Sequence, residues 1–248
     1  MSERRLPTPF LAAFLYTLRV CVPPRRRLLL LLPIAAALLF GWLATVTDLP
    51  TPGERLASTA DGPFGLVLPF ACLIIGDSVL GAEVRSGAFA LTWLSPAPFS
   101  SIVVARWLAG WVIASATLGP AFAAAAAVAG AADAIGPLVV ATIAGCAGYI
   151  GIFVLVGATT RRAALWSLGI VLLGERLLGA VLAGIAQLSP QWLARSAYGG
   201  LGPDADDLLR DGVPSGWAAV LRLAVIAAVT VGAATWRVRH LRVVPAAE

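Results

Sequence analysis

The chain has 248 residues, of which 59% are apolar and 12% are charged, and its formal net charge is +5. Its mean hydropathy of +0.89 lies well outside the usual range of soluble domains, whose residues are only about half apolar. The composition therefore excludes an ordinary soluble domain and indicates an integral membrane protein.

The first predicted element in chain order is a short amphipathic helix at residues 8–20, lying in the membrane interface. Its apolar residues recur at helical spacing and are Phe10, Leu11, Phe14, Leu15 and Leu18. A signal peptide fits this segment less well, because Arg19 interrupts the apolar stretch and no small-residue cleavage site precedes the arginines at 25–27.

Six segments are long enough to cross the membrane, since a helix needs about 20 mostly apolar residues to span the hydrocarbon layer. The predicted spans are 28–47, 63–82, 99–130, 134–158, 163–186 and 217–236. Their continuous runs rich in Leu and Ala favour helices over barrel strands, which would alternate. The predicted fold class is all-α: one polytopic membrane domain over 1–248, without an internal repeat.

Arginine supplies all 18 basic residues, because the chain contains no lysine. With six spans, one side of the membrane carries the arginines at positions 4, 5, 19, 25, 26, 27, 85, 106, 161, 162, 237, 239 and 242. The other side carries those at 55, 195, 210 and 222. The positive-inside rule then places both termini in the cytoplasm. The net charge follows from this topology and gives no reason to expect nucleic-acid binding.

The three cysteines, Cys21, Cys72 and Cys146, are widely separated and form no CxxC pair. No histidine lies near them, so we expect small apolar residues here and no metal site.

A charged stretch, "GDSVLGAEVRSGAFALTWLSPAP" at 76–98, connects the second and third predicted spans. Read as a helix from Glu83 to Leu94, it places apolar residues on one face and Arg85, Phe89 and Trp93 on the other side. Two interpretations stay open for the aromatic pair: an interfacial aromatic belt, or anchors for a soluble partner. Prolines at 96 and 98 end the helix.

This stretch and the beginning of the next span read "GAEVRSGAFALTWLSPAPFSSIVVARW", which resembles the loop between spans two and three of ABC-2 type transporter permeases. The chain length, the N-terminal helix, the six spans and the segment "GIAQLSPQWLARSAYGGL" before the last span resemble the same family. Two departures are Ser86 and Gly87, where the family often has Gly-Thr, and Arg106, where a lysine is common.

The resemblance implies the membrane subunit of an export-type ABC transporter, in which two separate ATPase subunits bind ATP and Mg and a second copy, or a related permease chain, completes the assembly. It implies that residues 83–95 form a coupling helix seated on the ATPase. The residues assigned to coupling are Glu83, Arg85, Ser86, Gly87, Phe89 and Trp93.

The chain's own residues agree with a separate ATPase. A P-loop requires GxxxxGK[ST], whose lysine holds the nucleotide phosphates, and this chain has no lysine. We therefore expect no P-loop hydrolysis in this chain and no bound cofactor of its own. The implied location is the inner or plasma membrane of a bacterium. Spans rich in Ala, Leu, Val and Gly favour an amphipathic or lipophilic cargo.

Ionisable residues inside a span usually face protein or water, since each costs about 2.5–3.5 kcal/mol at the centre of a lone helix. For Asp77 and Arg106 we favour an ion pair at the inner leaflet over a substrate contact. Glu175 and Arg176 point about 100° apart on a helix and cannot pair well with each other. Three interpretations stay open: contact with a polar group of the substrate, a buried network between helices for which Arg222 is a candidate member, or a kink where the fifth span breaks.

The segment at 187–200 resembles the re-entrant hairpin that closes the transport pathway of the family on the outside, with Pro190 and Trp192 as gate residues. Irregular backbone at membrane depth requires cover by protein or a wet cavity. The alternative is a surface loop with an interfacial tryptophan.

Two other function classes fit less well. A membrane-embedded enzyme needs a nucleophile with a base or a metal-binding acidic cluster, whereas the only histidine is His240, beyond the last span. An ATP-independent channel or secondary transporter often shows inverted repeats, and no repeat stands out here.

Overall fold

The computed structural model describes residues 8–21, 27–81, 98–160 and 162–240, and every long element among them is a helix. In chain order these are α1 (Pro9–Cys21), α2 (Arg27–Thr45), α3 (Pro52–Gly81), α4 (Phe99–Val128), α5 (Ala132–Thr159), α6 (Ala163–Val181), α7 (Ala183–Ala186), α8 (Pro190–Leu201) and α9 (Gly216–Arg239). Helices α3, α4, α5, α6 and α9 are long and apolar enough to cross a membrane. The described residues therefore form the all-helical bundle of a multi-pass membrane protein.

The predicted first span coincides with α2. The part of α2 with described side chains, Leu30–Thr45, is apolar but falls short of the length required of a spanning helix. The number of spans supported by the described residues is thus five, and the count of six stays a prediction.

A difference from the sequence prediction occurs before the predicted second span, 63–82, where the helix starts earlier than expected. Helix begins there at Pro52, and the side chain of Thr51 accepts a hydrogen bond from the backbone N–H of Glu54 at 3.1 Å. The Glu54 carboxylate accepts one in return from the backbone N–H of Thr51. This reciprocal capping box stabilises a helix start, so α3 extends well outside its apolar core.

Two helices contain π-helical stretches, in which each backbone N–H bonds to the carbonyl five residues earlier. They are Pro63–Val67 and Asp77–Gly81 within α3, and Ile170–Leu178 within α6. Such stretches are rare and are often associated with functional sites. Here they contain Asp77, Glu175 and Arg176, three of the ionisable residues inside the predicted spans.

Helix α5 is central, since it packs against α3, α4, α8 and α9. Small residues on α5 allow close approach of its neighbours, as is common between membrane helices. A Cβ atom on Gly151 would lie 2.4 Å from the hydroxyl oxygen of Thr230 in α9, and one on Gly145 would lie 3.0 Å from the Cβ of Ala194 in α8. The neighbouring helices therefore depend on the absence of side chains at these positions.

A second row of small residues joins α2 to α4. Ala37, Gly41 and Ala44 repeat at helical spacing, and both alanines are fully buried. A Cβ atom on Gly41 would lie 2.5 Å from the carbonyl oxygen of Ala125 in α4. The two helix backbones are in direct contact at this point.

The faces that α6 and α9 turn away from the bundle are strongly apolar, as expected for contact with lipid or another membrane subunit. Large exposed side chains on these faces include Leu165, Trp166, Leu173, Leu177, Val181, Leu221, Val225 and Val229. Of the most apolar stretch of α6, only 22% is buried inside the protein, whereas 72% of the corresponding stretch of α3 is buried. Helix α6 is therefore the spanning helix with the least internal packing.

Helix α1 covers the same end of the bundle as the start of α4 and the Asp77–Gly81 stretch of α3, both of which it contacts. Its buried residues are Thr17 and Cys21. Phe10, Leu11 and Leu15 are exposed, which leaves an apolar face available to the bilayer. The interfacial location of α1 stays a prediction.

Replacing Gly41 with alanine tests the close contact between α2 and α4. The new methyl group would overlap backbone atoms that cannot rotate away, so we expect Gly41→Ala to destabilise the protein by about 1–3 kcal/mol. Gly169→Ala is the matched control, because nothing lies within 4 Å of its Cβ position and alanine favours helix over glycine. Thermal unfolding of both purified variants in one detergent measures the difference; equal midpoints would contradict the contact.

Candidate functional site

The hairpin formed by α7 and α8 reaches deep into the bundle. Pro190, the first residue of α8, packs against Gly148, with 3.5 Å between its Cβ and a Cβ placed on that glycine. Gly148 lies 11 residues before the end of α5 at Thr159, which corresponds to about 16 Å along the helix. Helix α8 then rises about 15 Å from Pro190 to Gly200, where it meets Gly216 at the start of α9.

The turn at the bottom of this hairpin has clear local causes. Ser189 precedes α8, and its side chain accepts a hydrogen bond from the backbone N–H of Trp192 at 3.4 Å. Pro190 occupies the first helical position, where its missing N–H costs nothing. The sequence Ser-Pro therefore fixes where α8 begins.

Glu175 of α6 lies beneath the hairpin and is only 3% exposed. One of its carboxylate oxygens accepts a hydrogen bond from the hydroxyl of Tyr149 in α5. The other accepts one from the hydroxyl of Ser189 at 2.7 Å. A single carboxylate thus joins α6, α5 and the entry to α8.

Arg176 follows Glu175 but makes a different contact. Its Nε donates to the backbone carbonyl of Gly65 in α3 at 3.3 Å, within the π-helical stretch of that helix. Because Gly65 has no side chain, the guanidinium can approach closely: a Cβ there would lie 2.7 Å from Nη2 of Arg176. Among the residues that the structure describes, no arginine forms a salt bridge with Glu175.

Trp192, one of the predicted gate residues, lies beside this cluster. Its indole N–H donates to the backbone carbonyl of Glu175 at 3.2 Å. The guanidinium carbons of Arg195 and Arg210 lie 5.4 Å and 4.7 Å from the centre of its ring. Both distances are within the range of cation–π attraction, so the ring is held between α6 and two arginines.

Further contacts hold the hairpin in place at the end of the bundle where α9 begins. Arg210 donates to the carbonyl oxygens of Gly179 and Ala180 at 2.6 Å and 2.8 Å, which are backbone acceptors near the end of α6. Arg195 of α8 forms a salt bridge with Asp61 of α3. Gln187 donates to the carbonyl of Gly212 at 2.6 Å. The hairpin is thus bonded to α3, α6 and the 202–215 loop.

The structure brings some predicted site residues together and separates others. Glu175, Pro190 and Trp192 share one cluster, with Arg176 bonded to α3 beside it. The Arg222 guanidinium donates to the side chain of Gln187 at 3.2 Å and does not bond Glu175. The buried network weighed for Glu175 therefore contains hydroxyl groups in place of Arg222. Whether these residues also contact a substrate stays a prediction.

The other predicted residues lie at the opposite end of the bundle. Arg106 is buried in α4, and Asp77 is half-buried at the start of the second π-helical stretch of α3; their pairing stays a prediction. The coupling segment falls outside the described residues. Its members are Glu83, Arg85, Ser86, Gly87, Phe89 and Trp93.

Sequence reasoning missed three members of the cluster. Tyr149 is the one tyrosine within the uncharged run of α5, and a buried tyrosine hydroxyl usually has a partner. Ser189 carries the cap signal Ser-Pro. Nothing in the sequence around Gly65 indicates that an arginine side chain reaches its carbonyl from α6.

The cluster offers acceptors and donors but no ligand set for a metal. Within the described parts of the chain, no group of three or more His, Cys, Asp or Glu residues is placed to hold a metal ion. Cys72 of α3 and Cys146 of α5 are both buried, and neither forms a disulfide. The arrangement binds helices to one another through a buried carboxylate.

No model of a known protein family matches the chain, and no curated protein matches it. The functional argument therefore depends on the residues and geometry described above.

Replacing Glu175 tests whether it holds the hairpin. Glu175→Ala leaves two buried hydroxyls without their acceptor, at about 1–3 kcal/mol each, while Glu175→Gln keeps the shape and one carbonyl oxygen. We expect a marked fall in thermal stability for the first variant and a smaller fall for the second. Hydrogen exchange of residues 183–201 should accelerate in Glu175→Ala. Leu177→Ala, an exposed position on the same helix, is the control; equal exchange in both would contradict the role.

A double-mutant cycle tests the contact between Arg176 and Gly65. Gly65→Ala introduces a methyl group where the guanidinium lies, and we expect a loss of about 1–3 kcal/mol. The same substitution should cost less in an Arg176→Ala background, because the two nearest atoms, Nη2 and Cζ of Arg176, are then absent and only Nε2 of Gln191, at 3.0 Å, stays close. Denaturation of the four proteins gives the coupling energy, and purely additive effects would show that the two residues do not interact.

Proposed function

We propose that this chain is the membrane permease subunit of an ATP-driven ABC-2 type exporter that moves an amphipathic or lipophilic compound by alternating access. The observation that carries the proposal is the hairpin of α7 and α8. In the sequence it lies between α6 and α9, and in the structure its turn at Pro190 packs against Gly148 near the middle of α5. A hairpin of this kind at this place in the chain is what the sequence resemblance implies.

The arrangement of charge supports a six-span topology in a bacterial inner or plasma membrane, with both termini in the cytoplasm. In this topology α2 is the first span. Arg19 of α1 and Arg237 and Arg239 of α9 mark the cytoplasmic end, in agreement with the positive-inside rule. The hairpin and the aspartate-containing loop before α9 then face outward.

Energy would come from two separate ATPase subunits that bind ATP and Mg, since this chain has no lysine for a P-loop. The segment 83–95 is the proposed coupling helix, with Phe89 and Trp93 as its anchors. It follows the Asp77–Gly81 stretch of α3, which contacts α1, α4, α5 and α6. A push on the coupling helix would therefore reach four helices at once.

The buried cluster is the proposed closure of the pathway on the outside. Glu175 bonds the hairpin to α5 and α6, and Trp192 closes the space beside it. Helix α6 also presents a broad exposed apolar face, which includes Leu173 and Leu177. A second copy of the permease, or a related chain, could pack against this face, so that cargo would pass between the two subunits under the hairpins.

The proposal predicts an association that depends on two aromatic residues. A tagged chain purified from the membranes of its own bacterium should retain a P-loop ATPase and hydrolyse ATP. Phe89→Ala combined with Trp93→Ala should remove most of both the bound ATPase and the activity, because buried aromatic anchors often contribute 2 kcal/mol or more each to an interface. Trp217→Ala, an exposed aromatic at the opposite end, should change neither.

Retention of the ATPase by the double variant would exclude residues 83–95 as the coupling helix. If the wild-type chain is active in transport but binds no ATPase, the assignment as an ABC permease is wrong.

A second candidate function is an ATP-independent secondary transporter. The observation that favours it is a buried carboxylate, Glu175, in a helix with irregular hydrogen bonding, next to a hairpin that breaks at mid-depth. Interrupted helices with an ionisable residue are typical of ion-coupled carriers. We rank it second because Glu175 is already bonded by two hydroxyl groups. The purification described above separates the two functions, since a carrier of this kind needs no ATPase.

A further inference from the structure

A long groove runs between α4 and α9, away from the hairpin and its buried cluster. It encloses about 640 Å³, which is within the range of ~300–1,000 Å³ usual for small-molecule sites. Val104, Trp107 and Trp111 of α4 line one side, and Ala228 and Gly232 of α9 line the other. Because the described wall residues are mostly apolar and the groove lies on the outer surface of the bundle, it is open to the bilayer.

Two tryptophans give the groove a rigid wall. The rings of Trp107 and Trp111 are stacked, with centres 5.5 Å apart and planes 9° apart. Their indole N–H groups donate to backbone carbonyls of α5, Trp107 to Ala147 at 3.2 Å and Trp111 to Ile143 at 2.9 Å. Both polar atoms are thus bonded within the protein, and the rings present apolar surface to whatever occupies the groove.

Small residues on α9 give the groove its depth and length. Nothing lies within 4 Å of a Cβ placed on Gly232. The lining residues of α9 extend from Ala224 to Arg239, a distance of about 22 Å along the helix. One leaflet contributes about 15 Å of hydrocarbon, half of the ~30 Å layer. The groove is therefore long enough for one acyl chain and its headgroup.

The groove is polar and positively charged at one end only. Arg239 is the single charged residue among the described residues that line it, and Ser100 and Trp236 lie at the same end. A guanidinium binds phosphate oxygens well because its planar donors match their geometry. Tryptophan is typical of the headgroup level of a membrane, and anionic lipids of the cytoplasmic leaflet attract basic residues there.

We propose that this groove is a binding site for one anionic phospholipid, whose acyl chain lies along Trp107 and Trp111 and whose phosphate binds Arg239. A second copy of the chain fits the groove less well. It would bring its own arginine-rich end of α9 to the same level, and like charges would then face each other across the contact. The proposal rests on the membrane location of the bundle and on the cytoplasmic orientation of the Arg239 end proposed above, and it is independent of ATP-driven transport.

Native mass spectrometry of the purified chain tests the site, with phosphatidylglycerol and phosphatidylcholine of identical acyl chains added separately as probes. The wild-type chain should bind a first phosphatidylglycerol about fivefold more tightly than phosphatidylcholine, which is the effect of one arginine near the headgroup. Arg239→Gln should remove this preference and Arg239→Lys should retain most of it. Arg237→Gln is the matched control, since position 237 points about 200° away on the helix and does not line the groove.

A second variant blocks the hydrocarbon part of the site without changing any charge. Gly232→Phe places a ring in the open groove and should lower the affinity for both lipids by at least fivefold. Gly136→Phe, at an open position of α5 outside the groove, should leave both affinities unchanged and shows that a new phenylalanine is tolerated.

Three results would overturn the proposal. One is an equal loss of phosphatidylglycerol preference in Arg239→Gln and Arg237→Gln, which would indicate general surface charge. Another is unchanged lipid binding in Gly232→Phe. The third is conversion of a dimer to a monomer by Gly232→Phe, visible in the same spectra, which would assign the groove to a contact between two copies of the chain.

Discussion

The buried carboxylate of Glu175 is the interaction on which the placement of the α7–α8 hairpin depends. Inside a membrane there is no water to satisfy a polar group, so every donor and acceptor must find a partner within the protein. Glu175 accepts hydrogen bonds from Tyr149 and Ser189, and its own backbone carbonyl accepts one from Trp192. The hairpin can therefore turn beside the middle of α5 while the side chains of Ser189 and Glu175 both keep hydrogen-bond partners.

The same constraint explains the irregular hydrogen bonding of the helices. A π-helical turn shifts the backbone pairing by one residue and moves carbonyl groups out of their usual bonds. The Gly65 carbonyl lies in such a stretch and accepts from Arg176. Arg176 belongs to the π-helical stretch of α6 together with Glu175. The two irregular segments thus complement each other, and the charge of Arg176 is placed against backbone rather than lipid.

Much of the fold follows from composition and hydrophobic length. The all-helical class and the approximate positions of five long helices could be predicted because apolar runs of about 20 residues have few alternatives in a membrane. The early start of α3 could not, since its capping box at Thr51 and Glu54 lies in a polar stretch without an apolar run. It shows that a local four-residue signal can extend a helix beyond its hydrophobic part.

The candidate site was only partly predictable. An ionisable residue in an apolar span marks a site regardless of its partner, so Glu175 and Arg176 could be identified from the sequence. Their partners depend on how α3, α5 and the hairpin pack. Arg222 was a reasonable electrostatic partner for Glu175, but it donates a hydrogen bond to Gln187. The uncharged hydroxyl groups of Tyr149 and Ser189 donate to the carboxylate instead. Tertiary geometry, rather than charge, selects the contacts of Glu175.

These contacts also indicate which helix would move if the chain exports a compound as proposed. Helices α3, α8 and α9 pack closely against α5 at glycines such as Gly145 and Gly151. Separating these helices would open gaps in the core. Helix α6 has the least internal packing of the spanning helices, and its strongest described attachments are Glu175, Arg176 and the carbonyls bonded by Arg210. Withdrawal of α6 would break a small number of hydrogen bonds and little apolar packing. Outward opening by movement of α6 against a fixed α5–α8–α9 core is therefore less costly than displacement of the hairpin itself.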